Sequence, residues 1–215
     1  MTRIIIVIVI TILCSYMGQA QENQSRFKAG FTLGINKTNI IFTSSGSSAA
    51  RWEPRNTLSF GAVGNARLGE NWAVQTGLIF TERGTTFRPL LDVDTRIWTA
   101  EIPINFRYEA PLSSWLGLAS DDAIRTYGFG GLYLGYGLLA GVSEDKKWTK
   151  AAFGELYERS DIGLAIGAGV AVNIKEFSGD IQIKHSIGLK DIGSDPDLSS
   201  HIVNTNVSLV YYLYR

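Results

Sequence analysis

Apolar residues alternate with polar or small ones along much of this chain. In Phe27-Lys28-Ala29-Gly30-Phe31-Thr32-Leu33-Gly34-Ile35-Asn36 every odd position is apolar, and every even position is polar, charged or glycine. Strand side chains point to opposite faces with period two, so this segment predicts a strand that is oily on one face and wet or small on the other. Seven more stretches read the same way: 57–68, 72–81 (with Arg83-Gly84-Thr85-Thr86-Phe87 as a possible extension), 97–108, 125–138, 161–172, 179–190 and 201–214. The cleanest is 161–172, where Ile162, Leu164, Ile166, Ala168, Val170 and Val172 stand against Gly163, Ala165, Gly167, Gly169 and Ala171. Two strands are less regular. Pro103 interrupts the fourth, where a local bulge is expected because proline cannot donate to a ladder. The facing of the aromatic and glycine-rich fifth, Tyr127 to Gly137, is ambiguous.

The connections alternate in length. The segments 37–56, 88–96, 140–160 and 191–200 are polar and long, whereas 69–71 and 173–178 are short turns. The exception is 109–124, where Trp115-Leu116-Gly117-Leu118 suggests a short helical or interface-lying piece. Long connections at one end and short turns at the other are the pattern of outer-membrane barrels, with the N-terminus in the periplasm. An even strand count closes the sheet and removes free edges. Trp72, Trp98, Tyr108, Tyr211 and Tyr214 fall near predicted strand ends, where interface girdles sit. The predicted fold is therefore all-β: an eight-stranded antiparallel transmembrane up-and-down β-barrel over 21–215.

The first 20 residues change the compartment. Arg3 supplies a positive start, Ile4 to Leu13 an apolar run, and Gly18-Gln19-Ala20 a small-x-small cleavage site. This is a signal peptide over 1–20, with the mature chain beginning at Gln21. Its apolar run is too short for the ~20 residues of a spanning helix. Cys14 is the only cysteine and leaves with the leader, which excludes disulfides and thiolate metal sites from the mature chain. Basic and acidic residues balance at 20 each, so no nucleic-acid footprint is present. Glycine, 23 of 215 residues, exceeds the usual ~7%, and a narrow barrel interior is a reason to accept it within strands.

Eight strands enclose a space that side chains fill. The wet faces carry Lys28, Arg67, Glu101, Arg107, Asp180 and Lys184, together with Thr32, Asn65, Gln75, Asn105, Gln182, Asn204 and Asn206. Isolated charges there are costly and paired ones tolerable. Glu101 and Asp180 are expected to pair with Arg107, Lys184, Lys28 or Arg67, giving a structural polar network and a plugged lumen rather than a conduit. No catalytic, cofactor-binding or metal residues are assigned. His185 and His201 are the only histidines, and His201 lies near Ser199, Ser200, Asp195 and Asp197. That set would be the basis of a hydrolase at the outer rim. The glycine runs at 128–137 and 163–169 are not phosphate loops, because no helix follows them.

Four segments resemble, in order, the Bacteroidetes outer-membrane beta-barrel family that includes PorT-like porin-family barrels. They are Trp98-Thr99-Ala100-Glu101-Ile102-Pro103-Ile104, Gly131-Leu132-Tyr133-Leu134-Gly135-Tyr136, Asp161-Ile162-Gly163-Leu164-Ala165-Ile166-Gly167-Ala168-Gly169-Val170 and His185-Ser186-Ile187-Gly188-Leu189-Lys190-Asp191-Ile192. The resemblance implies an integral outer-membrane barrel with lipid around it. It also implies recognition of the C-terminal strand by the barrel-assembly machinery, and for PorT-like members a link to type IX secretion through a protein partner. Such barrels end on an aromatic residue, whereas this chain ends on Arg215, with Tyr212 and Tyr214 just before it. Three functions follow in order. The first is a structural or accessory envelope barrel. The second is an exported soluble barrel holding a small apolar ligand, and the third is the rim hydrolase.

Overall fold

The computed structural model describes residues 27–44, 52–87, 93–112, 123–144, 147–151, 153, 157–174, 177–193 and 198–214. The leader, the 115–118 segment, Asp195, Asp197 and Arg215 lie outside the described residues. Nine strands form: β1 (Phe27–Ser44), β2 (Trp52–Arg67), β3 (Trp72–Phe87), β4 (Val93–Pro111), β5 (Ile124–Glu144), β6 (Lys147–Ala151), β7 (Ser160–Ile174), β8 (Phe177–Gly188) and β9 (Leu198–Tyr214). Every pairing among them is antiparallel. Sequential neighbours pair from β1 to β5, then β5 to β7, β7 to β8 and β8 to β9. The ring closes where β1 meets β9, in the register Leu33↔Leu209. β6 is not a stave; it pairs only with the end of β5, at Ala140–Glu144. The barrel proper is thus eight-stranded.

The alternation decides which face goes where. Phe31, Leu33, Ile35, Leu58 and Phe60 point out and are exposed, whereas Thr32, Asn36, Ser59 and Asn206 point in and are buried. An apolar outside around a polar inside is the reverse of a soluble barrel, and so large an exposed apolar belt marks a surface that meets lipid. This corrects the soluble ligand-binding alternative, which needs an apolar interior. Aromatic pairs stand at both edges of the belt. Trp72–Tyr108 (5.1 Å between rings) and Phe177–Tyr211 (5.8 Å) lie at the Phe27 end, and Phe60–Phe80 (5.6 Å) and Phe60–Trp98 (6.2 Å) lie toward the other.

The strands run well past the belt at the far end, and this corrects the predicted loops. β1 has 18 residues, β4 19 and β5 21, against ~9–11 needed to cross a bilayer. Most of 37–56 and part of 140–160 are therefore strand. Beyond the belt the outside meets water and the sense of the pattern inverts. Ile40, Ile97, Ala140 and Ile202 point inward and join Tyr157 and Ile192 in a buried apolar cluster. Tyr157 and Ile192 come from the connections before β7 and after β8, which are held together by the bridge Tyr157↔Gly193. An apolar cap thus closes the far end over the polar lumen.

Pro103 produces no bulge. It pairs with Tyr133 of β5 without a shift. Toward β3 the ladder lapses between Thr76↔Ile104 and Ile79↔Glu101, with the same register on both sides. The missing N–H removes a single ladder bond opposite Gly77, and the strand passes straight through. The β4–β5 irregularity lies elsewhere, at Trp98/Thr99.

Candidate functional site: the charged lumen

Two charged centres occupy the interior. The one nearer the cap is built on Arg83, which is fully buried. Its Nε and Nη2 lie 3.0 and 2.8 Å from Glu101 Oε1, and its Nη1 donates to Asp161 Oδ2 at 2.6 Å. Tyr133 donates its hydroxyl to the same Asp161 oxygen at 2.8 Å, and the guanidinium carbon sits 4.9 Å from the Tyr133 ring centre. Lys184 Nζ lies 4.0 Å from Glu101 Oε2. Two cations and two carboxylates neutralise one another, which makes burial of all four tolerable.

The second centre lies toward the Phe27 end. Arg107 donates through Nη1 to Asp180, and its Nε lies 2.7 Å from Glu109 Oε1. Its guanidinium stacks 3.3 Å from the ring centre of Tyr127, and Tyr212 donates to Asp180 Oδ2 at 2.9 Å. Glu109 also faces Arg125 at 3.5 Å and Arg67 at 3.7 Å. Among the described residues Lys28 forms no ion pair; it donates to Asn173 Oδ1 at 2.6 Å and Ser178 Oγ at 3.1 Å. The free space among Lys28, Asn65, Arg67, Arg107, Glu109 and Asp180 is a cavity of about 10 Å³, room for about one water. At the level of Asn36, Ser59 and Asn206, on β1, β2 and β9, the contacts are uncharged: Asn206 donates to Asn36 Oδ1 at 2.7 Å and Ser59 Oγ at 3.0 Å.

Glycines of β7 make the space for the rings that carry these centres. β5 faces Tyr127, Phe129 and Tyr133 inward, opposite Gly169, Gly167 and Gly163 in register. A Cβ on Gly163 would stand 2.3 Å from the Tyr133 ring, on Gly167 2.3 Å from Phe129, and on Gly169 2.5 Å from Tyr127. The ring of the aromatic residue covers its glycine partner, a cross-strand pairing that restores packing where the glycine has no side chain. This settles the ambiguous facing of β5.

Of the six charged residues read from the sequence, Glu101, Arg107, Asp180 and Lys184 are buried inside the barrel, and Lys28 and Arg67 are half-buried at its Phe27 end; two expected pairings form, Asp180 with Arg107 and Glu101 with Lys184, and the others do not. Glu101 pairs with Arg83 more closely than with Lys184, and Asp180 takes Arg107. Arg67 faces Glu109, and Lys28 takes amide and hydroxyl acceptors. Arg83, Glu109, Arg125 and Asp161 stand outside the charges expected from the sequence, although each continues the inward parity of its strand. Asp195, Asp197 and the side chain of Ser199 lie outside the described residues; among the described residues neither histidine belongs to an acid–base set. His185 faces outward, with Nδ1 3.0 Å from Thr205 Oγ1. His201 Nδ1 is buried and hydrogen-bonds to nothing described, and Ser200 is buried beside it. Among the described residues no group of three His, Cys, Asp or Glu is placed to hold a metal, and no helix is long and apolar enough to cross a membrane.

Three solved barrels are similar in fold. OprG of Pseudomonas aeruginosa superposes with a TM-score of 0.50 at 11% identity, over 87% of this chain and 98% of its own. Neisserial surface protein A gives 0.46 at 11%, over 85% and 97%. Ail of Yersinia pestis gives 0.42 at 15%, over 87% and 99%. Such identities speak for the fold alone. No curated protein matches the chain. The family model for the outer membrane protein beta-barrel domain matches residues 19–193. With a belt of outward apolar side chains and a charged, filled interior, the chain belongs to the outer membrane protein beta-barrel domain family and is an integral protein of the outer membrane.

Proposed function

We propose that this protein is a structural or accessory envelope barrel whose lumen is a sealed polar core rather than a conduit. The observation that carries this reading is the burial of Arg83, Glu101 and Arg107, each at most 1% exposed. Their ion pairs span the interior from opposite walls, since Arg83 of β3 reaches Asp161 of β7 and Arg107 of β4 reaches Asp180 of β8. A solute crossing the barrel would have to break both. The apolar cap above adds a second barrier. The test is conductance of the refolded protein in planar bilayers. The sealed reading expects no steps above the lipid background, and reproducible ohmic steps would overturn it.

A scaffold of this kind acts through its ends. The Phe27 end is assigned to the periplasm and the long connections to the outside, following the rule of short periplasmic turns. Export by the 1–20 leader implies that the mature protein starts at Gln21, which N-terminal sequencing checks. Assembly through the final strand fits the position of β9, which closes the barrel on β1. The resemblance to PorT-like barrels supplies type IX secretion as the context in which such a scaffold would act, through a protein partner at its loops. Deletion of the gene followed by comparison of secreted and envelope proteins tests that role. An unchanged secretome would remove it.

A further inference from the structure

Charged groups on the outer rim of the barrel are not evenly matched. Around β2 to β4 the cations are neutralised in place: Arg96 Nε lies 3.4 Å from Glu82 and Arg55 Nη1 3.1 Å from Asp94. Around β5 to β8 they are not. The guanidinium of Arg159, just before β7, lies 5.0 Å from the ring centre of Phe153 and 5.9 Å from that of Tyr136, and donates to the Tyr136 hydroxyl at 3.3 Å. Among the described residues no carboxylate pairs with it. Beside it Lys190 donates to Ser160 Oγ at 2.6 Å and to Glu158. Among the described residues one carboxylate, Glu158, thus stands against two cations and pairs with only one of them.

The surface next to this group is apolar. Tyr136 pairs with Ser160 and Leu134 with Ile162, and the Leu189 N–H bonds to the Ile162 carbonyl. Leu134, Ile162 and Leu189 all point outward and are exposed. On β7 and just past β8 the exposed apolar surface begins at Ile162 and Leu189, next to Ser160, and on β5 it continues past Tyr136 to Leu138 and Leu139, so the cations stand against it. Rim charges are screened and individually weak. A guanidinium on Tyr136 and an ammonium on Ser160, carried by paired positions of neighbouring strands beside a hydrocarbon surface, nevertheless match an anionic head on an apolar tail. Phosphate suits the donors, since the planar guanidinium fork matches its oxygens and the ammonium adds a point charge.

We propose that Arg159, Lys190 and Ser160 hold a phosphate of an outer-leaflet lipid whose acyl chains lie along Leu134, Ile162 and Leu189. The inference rests on the outer-membrane placement with the Phe27 end in the periplasm, and is independent of whether the lumen conducts. Ser160 accepts from Lys190 and keeps its own proton to donate. The Tyr136 ring holds Arg159 at the interface, where an unsupported arginine would be free to turn toward bulk water.

Native mass spectrometry of the full mature barrel, titrated with bisphosphorylated lipid A and with its dephosphorylated form, tests this. The phosphorylated lipid is expected to bind about ten-fold more tightly, the ratio of roughly one charge-assisted hydrogen bond. Arg159→Gln/Lys190→Gln should lose that preference while retaining the binding of the dephosphorylated lipid. The charge-preserving Arg159→Lys/Lys190→Arg should keep most of it, and Arg96→Gln on the neutralised arc should leave it within two-fold. Retained heat-modifiable mobility on gels establishes that each variant is folded. Equal binding of the two lipids by the parent protein would overturn the proposal. So would an equal loss on Arg96→Gln, or displacement of the lipid by millimolar inorganic phosphate, which would mark a site for the free anion.

Discussion

Replacing Arg83 by methionine tests the energetics of the lumen most sharply. Among the described residues the guanidinium alone bonds both Glu101 and Asp161 in the cap-side centre. Methionine fills much of the same volume and removes the five N–H donors of the guanidinium, including the two that bond Glu101 and Asp161. Asp161 then keeps only the Tyr133 hydroxyl at 2.8 Å, and Glu101 keeps Thr99 Oγ1 at 3.4 Å and Lys184 at 4.0 Å. Two carboxylates would share one ammonium in a space almost closed to water. Breaking a buried pair by removing one partner costs about 3–5 kcal/mol, because the abandoned charge pays its desolvation without return. Equilibrium urea unfolding of the refolded barrel in vesicles, followed by tryptophan fluorescence and heat-modifiable mobility, measures that loss. Arg83→Met/Glu101→Gln/Asp161→Asn should recover most of it, since neutral amides cost far less to bury than unpaired carboxylates. Arg83→Lys should fall between, because one ammonium cannot reproduce the planar fork. A loss under about 1 kcal/mol for Arg83→Met would refute the reasoning, since it would equate this centre with a solvated surface pair.

Three further outcomes follow from the packing. Gly167→Val places a branched side chain where a Cβ already meets the Phe129 ring at 2.3 Å and the Ile183 carbonyl at 2.3 Å; it should cost about 1–3 kcal/mol or more by overpacking, measured by the same unfolding assay. Ile202→Ala opens a cavity in the apolar cap and should cost about 2–5 kcal/mol. Faster exchange of the amide of Ile192, which bonds to the Ser200 carbonyl at 3.0 Å, would report the loosening by hydrogen exchange. Tyr212→Phe removes the hydroxyl that donates to Asp180 and should cost about 1–2 kcal/mol, with the secondary structure unchanged by circular dichroism.

The period-two contrast made the lipid-spanning part of each strand legible, because there one face must be oily and the other must not. It failed where that contrast disappears. Glu82-Arg83-Gly84-Thr85-Thr86 is polar on both faces, so the strand that delivers Arg83 lacks the signal, although Arg83 shares the parity of Thr81. At Ile40 the signal inverts, since water replaces lipid outside and the interior becomes the apolar side; strands end at Asn36 to an eye that expects one sense throughout. β5 was ambiguous because its inward residues are large rings rather than polar groups, and only the register opposite Gly163, Gly167 and Gly169 of β7 explains where they go. The lumen charges were found by parity alone. Which carboxylate meets which cation depends on the stagger between strands distant in sequence, such as β3 and β7, and alternation within one strand carries no information about that.

The most direct measurement is a spin-label scan along β1 and β9 of the barrel in lipid vesicles. Cys14 is the chain's only cysteine and lies in the proposed leader, so single cysteines can be placed one at a time at 31–36 and 206–211. Power saturation should show high access to lipid-soluble oxygen at 31, 33, 35, 207 and 209. At 32, 34, 36, 206 and 208 it should show low access both to oxygen and to a water-soluble nickel reagent, because those positions face a filled interior. Nickel access at the even positions would reveal a water-filled lumen, and nickel access at the odd ones would contradict the lipid-facing belt itself.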